Sequence, residues 1–219
     1  EVPAGIGGGW GGFRGTPRLV RSFQYQDNES PKADEILDKR GIFFDKNRSI
    51  DITTSVTGTF TTEGWAVYKY TNLQSNGEPG KNTTFPDTDF PMFRLGDVYL
   101  MYAEAVARGG EGGDLATAVN YINALRERAY GDTYHNITES WLLENNLQNI
   151  LDERCRELYW EGVRRTDLIR FGLYTSPNYL WTFKGGVLNG VGVDSRYNVF
   201  PIPTTDMSVN GNLKQNEGY

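Results

Sequence analysis

Residues 93–108 read FRLGDVYLMYAEAVAR, and in this stretch Leu95, Val98, Tyr99, Tyr102 and Val106 recur at the three- and four-residue spacing of one helix face. Gly109-Gly110 supplies the stop, so the spacing predicts a helix over 93–108. Asp114 then offers a short carboxylate to the free amides of a helix start. Leu115, Ala118, Val119, Ile122 and Leu125 form the next stripe, and Gly131 ends a helix predicted over 114–130. The short glycine-rich link makes the two an antiparallel pair. A third segment begins near Thr138, with Leu143, Leu147, Ile150, Leu151, Cys155 and Leu158 on one face, and predicts a helix to about residue 160. Glu161-Gly162 marks a break, after which Arg164 to Phe171 form a short helix stopped by Gly172.

Residues 93–172 are therefore the helical core of a mainly α domain, and the flanks differ from it in kind. Residues 1–92 read as loops and short strands: alternation at 49–56 and 65–70 predicts half-buried strands, and the Pro- and Asn-rich stretch 72–91 a long surface connection. Residues 173–219, again rich in Gly, Asn and Pro, are expected to wrap over the helices. The helix pairs resemble tetratricopeptide units, although their starts give no clean period of about 34 residues.

Composition narrows the chemistry. The 219 residues carry a formal net charge of −6, which argues against a nucleic-acid footprint. One Cys and one His, Cys155 and His135, leave no disulfide framework and no structural zinc set. Without a run of about 18 apolar residues, no membrane span is expected. The residues Glu1 to Gly5 lack a basic region followed by an apolar stretch, so no signal peptide is expected, and the opening reads as that of a processed or truncated piece. What stands out is 13 Tyr, 11 Phe, 5 Trp and 26 Gly in so polar a chain.

Several motifs admit a bland and a sharp reading. Gly7 to Gly12 matches G-x-G-x-x-G, but dinucleotide binding needs a strand before it and a helix after it, and neither is predicted. His135 stands alone in a loop and reads as solvated, and Cys155 reads as a small buried side chain. Asp87-Thr88-Asp89 lacks the spacing of an EF-hand loop. No cofactor or metal site is expected. Glu153, Glu157 and Glu161 fall at i, i+4 steps among Arg154, Arg156, Arg164, Arg165, Asp167 and Arg170. Arginines keep neighbouring carboxylates ionised, so this segment reads as a structural ion-pair lattice. Trp141 and Trp160 lie in helical segments and read as core. Trp10, Trp65 and Trp181 lie among glycines or turn residues, where an indole can stack on the apolar face of a sugar. The candidate ligand residues are accordingly Trp10 and Trp65 as platforms, Phe13 and Tyr25 as neighbours, Arg14 as a donor to hydroxyls, and Trp181 in reserve.

The string RLGDVYLMYAEA at 94–105 resembles the hallmark of the SusD/RagB family of surface glycan-binding lipoproteins of Bacteroidetes. AVNYINALRERA at 118–129, LDERCRELYWEGVRRTDLIRFG at 151–172 and VFPIPTTDMSVNGNLKQNEGY at 199–219 resemble the family's later segments in order. The resemblance implies a mainly helical fold with tetratricopeptide-like pairs and an outer-membrane, cell-surface location. It also implies a SusC-like TonB-dependent transporter as partner, and capture of oligosaccharides rather than catalysis. The chain looks like the C-terminal half, with the family's helical N-terminal half and lipid anchor absent. Glycan capture is the favoured reading; a helical scaffold that docks to the transporter without binding sugar and a glycosidase using two carboxylates stay open.

Overall fold

The structure, a computed structural model, describes residues 5–7, 12–54 and 59–219. Helix α1 is Pro17–Val20, and strands β1 (Phe43–Phe44) and β2 (Ala66–Val67) precede the main helices. These are α2 (Leu95–Ala107), α3 (Leu115–Tyr130), α4 (Glu139–Leu143), α5 (Gln148–Leu158), α6 (Arg164–Arg170) and α7 (Thr204–Val209). The fold is mainly α. It divides into two units, Glu1–Arg164 and Arg165–Tyr219.

The α2–α3 pair forms where the spacing places it. Asp114 accepts from the Thr117 amide at 2.8 Å, and Gly131 ends α3 at φ 83°, in the left-handed region that glycine enters without steric cost. Tyr99 stacks on Tyr121 at 4.3 Å, while the Tyr102 hydroxyl accepts from the Asp114 amide. The end of α2 thus lies beside the start of α3, and the two run antiparallel. Ala118, Ile122 and Leu125 of the expected α3 stripe are buried.

The inward face of α2 differs from the expected one. Leu100 and Ala103 are buried, whereas Leu95 and Val98 are exposed and Tyr99 and Tyr102 lie half-buried at the side against Tyr121. Apolar residues nearly surround this helix, so periodicity alone allowed more than one face to turn inward. Gly96 shows why a glycine is tolerated inside it: a Cβ there would stand 2.5 Å from Arg94 Nη1 and 2.8 Å from Glu157 Oε1. Close approach of two charged side chains demands the missing methyl.

The long third helix is two helices. Asn145, Asn146 and Leu147 have φ of 54°, 50° and 62°, and break the chain between α4 and α5. Asparagine enters left-handed backbone more readily than other L-residues. The break changes the phase of the stripe, so that Leu142 is buried and Leu143 exposed. Helix α5 ends at Tyr159, and the expected break follows, with Trp160 at φ 65° and Gly162 at φ 79°.

The predicted strand at 49–56 does not form over its described residues, 49–54, where Ser49 makes a single bridge to Glu63; 55 and 56 lie outside the described residues. Of 65–70 only Ala66–Val67 is a strand, paired antiparallel with β1 in the register Phe43↔Val67 and Phe44↔Ala66. This two-stranded ribbon closes a core of Val20, Phe23, Tyr25, Phe43, Trp65 and Tyr159. Phe23 meets Phe43 and Tyr159 edge-on at 5.4 and 5.6 Å. Aromatic rings from loops far apart in sequence thus replace the long strands that the segment lacks.

In the second unit the C-terminal segment is tied by its own polar side chains. Gln215 pairs with both backbone groups of Ile202, at 2.8 and 2.9 Å, and Asn216 donates to the Phe200 carbonyl at 2.7 Å. The terminal Tyr219 hydroxyl reaches the Arg196 and Val199 carbonyls. Among the described residues no helix is long and apolar enough to cross a membrane.

Candidate ligand-binding surface

Helix α5 carries Glu153 and Glu157 one turn apart, and both are buried. Buried carboxylates persist only when cations and hydrogen bonds replace water. Glu153 accepts from Arg40 at 2.8 Å, Arg126 at 2.7 Å and Arg156 at 2.6 Å. Glu157 accepts from Arg94 at 2.5 Å, Arg128 at 2.6 and 2.8 Å, and Arg40 at 3.1 Å. Past the end of α5, Glu161 accepts from Arg94 at 2.6 and 2.8 Å and from Lys69. Arg40 also clasps the buried Asp38 at 2.8 and 2.6 Å.

Burial alone would raise these carboxyl groups. The guanidinium groups win: Glu153 is held well below the carboxylate range, and Glu157 is lowered to about 2 by Arg128 and Arg94 above all. Such groups stay ionised at neutral pH and have no proton to give, which suits a scaffold rather than a general acid.

The lattice also aims an aromatic side chain. Lys69 Nζ donates to the Glu157 carbonyl at 2.9 Å, to the Tyr159 carbonyl at 3.0 Å and to the Glu161 carboxylate, so it grips the chain on both sides of Trp160. Between those anchors Trp160 takes left-handed backbone, a costly conformation for a bulky side chain. Its indole points outward, 38% exposed, and meets the ring of Phe13 edge-on at 5.0 Å. Phe13 is itself 72% exposed, and its backbone is fixed where its carbonyl accepts from Val67 at 3.3 Å. The two exposed rings stand at 90° to each other, so this shelf offers a flat apolar ligand face one ring to stack on and the other as its rim.

The structure redistributes the residues chosen from sequence. Phe13 is in the shelf. Arg14, next to it, is half-buried and donates to the Glu63 carbonyl at 3.1 Å. Tyr25 and Trp65 are each only 2% exposed and pack edge to face at 5.9 Å in the core, so neither ring offers a face to a ligand. Their place as platform and neighbour is corrected: Gly64 beside Trp65 marks a close approach, and what approaches is the rest of the core. Trp160, read as core, is the exposed one. Trp181 is half-buried in the second unit beside Tyr174 and over Lys184, whose ammonium donates to the Ser176 and Tyr179 carbonyls. Trp10 lies outside the described residues.

The smaller expectations shift as well. His135 is not solvated: it stacks on Tyr130 at 3.9 Å and shares a hydrogen bond with Asp132 at 2.9 Å. Cys155 is half-buried. Asp87 is used within its loop, where it accepts from the Lys81 amide. The lattice runs through Arg40, Lys69, Arg94, Arg126 and Arg128, whereas Asp167 pairs with Arg170 at 2.8 Å and Arg164 donates to the Leu151 carbonyl.

Most of this lattice and the C-terminal tie fall within a known sequence pattern, that of the SusD family, which matches residues 49–219, while Asp38 and Arg40 precede it. The chain belongs to the SusD family. It is 46% identical over 159 residues to the starch-binding protein SusD of Bacteroides thetaiotaomicron, a match covering 72% of this chain and 26% of that protein. A SusD-like protein of Formosa agariphila is 33% identical over 132 residues, covering 58% of this chain and 24% of the relative. The chain thus spans about a quarter of the length of these relatives. Among solved structures, a SusD-like protein of Bacteroides fragilis superposes with a TM-score of 0.57 at 20% identity, over 96% of this chain and 48% of the other. A SusD superfamily protein of the same species gives 0.51 at 20% identity, over 97% and 48%. These two establish the SusD fold.

Proposed function

We propose that this chain binds oligosaccharide without cleaving it, on the shelf of Phe13 and Trp160. The observation that carries the reading is the exposed indole held in left-handed backbone by a buried ion lattice, in a chain 46% identical to a protein named for binding starch. Arg14, beside Phe13 in the chain, supplies donors for sugar hydroxyls; Trp181, in the second unit, is a ring proposed independently of the shelf. In the whole protein the glycan passes to a SusC-like TonB-dependent transporter at the outer face of the outer membrane, where a lipid anchor holds the complex. Affinity is modest, because an open shelf covers less of a ligand than a closed pocket.

Calorimetric titration with maltoheptaose, followed by a reducing-end assay of the same mixture, tests this reading. Saturable binding with no new reducing ends is expected. Release of reducing ends would put a hydrolase in its place. A second reading, a scaffold that docks to the transporter without touching sugar, is favoured by one feature: Phe90, Met92, Phe93, Leu95, Val98 and Met101 form an exposed apolar run. Transporter binding without retention of any glycan on an array would select it.

A further inference from the structure

A cleft of about 360 Å³ opens beside the lattice, and its walls differ in charge from the rest of this acidic chain. Lys39, Arg40, Lys69, Arg94 and Arg128 line it against two carboxylates, Glu157 and Glu161. Those carboxylates have little left to accept with. Glu157 takes two hydrogen bonds on each oxygen, and Glu161 takes three in all.

Donors, by contrast, remain unused. Only Nη2 of Arg128 is engaged, which leaves the other edge of a guanidinium whose side chain is 55% exposed. The Lys39 ammonium has no partner among the described residues, and the Tyr70 hydroxyl is buried in the cleft wall with none. An orphaned buried hydroxyl is a cost that a bound acceptor removes. Burial raises the Tyr70 pKa, so it is present as a donor. A site with spare donors, excess positive charge and saturated acceptors selects an anion over a neutral polar group.

We infer that this cleft binds an oxyanion, with Arg128, Lys39 and Tyr70 as its donors. A sugar carboxylate and a free inorganic anion share that chemistry. Neither Phe13 nor Trp160 lines this cleft, and the inference does not rest on the reading of that shelf.

Two variants test it without touching an ion pair, since neither Lys39 nor the Tyr70 hydroxyl belongs to the lattice. The parent chain, Lys39→Gln, Tyr70→Phe and Phe13→Ala are titrated at constant ionic strength with sodium glucuronate, sodium sulfate and glucose. The parent is expected to bind an anion saturably and glucose not at all at this site, with Lys39→Gln and Tyr70→Phe each weakening the anion at least about fivefold. Phe13→Ala should leave that affinity unchanged. Preference for glucuronate identifies an acidic sugar as the ligand, and preference for sulfate an inorganic oxyanion. Absence of saturable anion binding, or affinity unaltered in both Lys39→Gln and Tyr70→Phe, would overturn the inference.

Discussion

Glu153→Ala is expected to lower the free energy of unfolding by about 3–5 kcal/mol. The carboxylate has no exposure and is the common acceptor of Arg40, Arg126 and Arg156. Its removal takes from the largely covered Arg126 and Arg156 their shared carboxylate and leaves Arg40 with Asp38 and Glu157 alone, and that poorly compensated charge, more than the lost attraction, sets the size of the effect. Urea denaturation at pH 7 measures it. A loss under about 1 kcal/mol would show that water reaches the lattice and screens it. The same lattice makes the fold sensitive to acid. The Glu157 carboxyl is depressed from 4.5 to about 2 in the folded state. Its stabilisation is complete above about pH 4.5 and is lost as pH falls through about 2. Melts should therefore be flat from pH 7 to 5 and fall steadily below 4.5.

Trp65→Ala carries the second large effect, about 3–5 kcal/mol of stability, the usual cost of deleting a large buried aromatic side chain. The indole is almost without exposure and packs on Tyr25 at 5.9 Å and Phe43 at 6.1 Å. Because it lies inside the protein, glycan affinity should survive in the fraction that remains folded. Chemical denaturation with a parallel titration at low temperature checks both halves. Unchanged stability with lost glycan binding would return Trp65 to the ligand surface.

The contrast between Trp65 and Trp160 shows what the sequence can and cannot convey. Helix α3 was legible because its apolar stripe, its Asp114 cap and its Gly131 stop are all local signals that agree. The kink before α5 was also local, in Asn145-Asn146, but the surrounding apolar spacing masked it. The fate of each tryptophan is a tertiary property. Trp65 has turn residues around it, yet β2 sets it against rings from residues 25 and 43. Trp160 follows a helix, yet leaves it in left-handed backbone and faces solvent. The lattice was half legible: three glutamates at i, i+4 steps announced it, but Arg40 lies 113 residues from Glu153 and Lys69 lies 92 from Glu161. No periodicity links positions so far apart. The family resemblance implied the fold and the proposed ligand class; of the aromatic shelf, Phe13 was legible as a candidate in the sequence, while Trp160 comes from geometry.

Trp160→Gly offers the most direct test of the proposed glycan-binding surface. Glycine takes φ 65° without strain, so the substitution removes the platform while leaving the backbone at ease. Titration of this variant with a glycan bound by the parent, alongside a thermal melt, should show affinity lower by at least about tenfold, in line with loss of a stacking partner. The melting temperature should stay within a few degrees of the parent. Full affinity in Trp160→Gly would contradict the account and move the sugar to another surface.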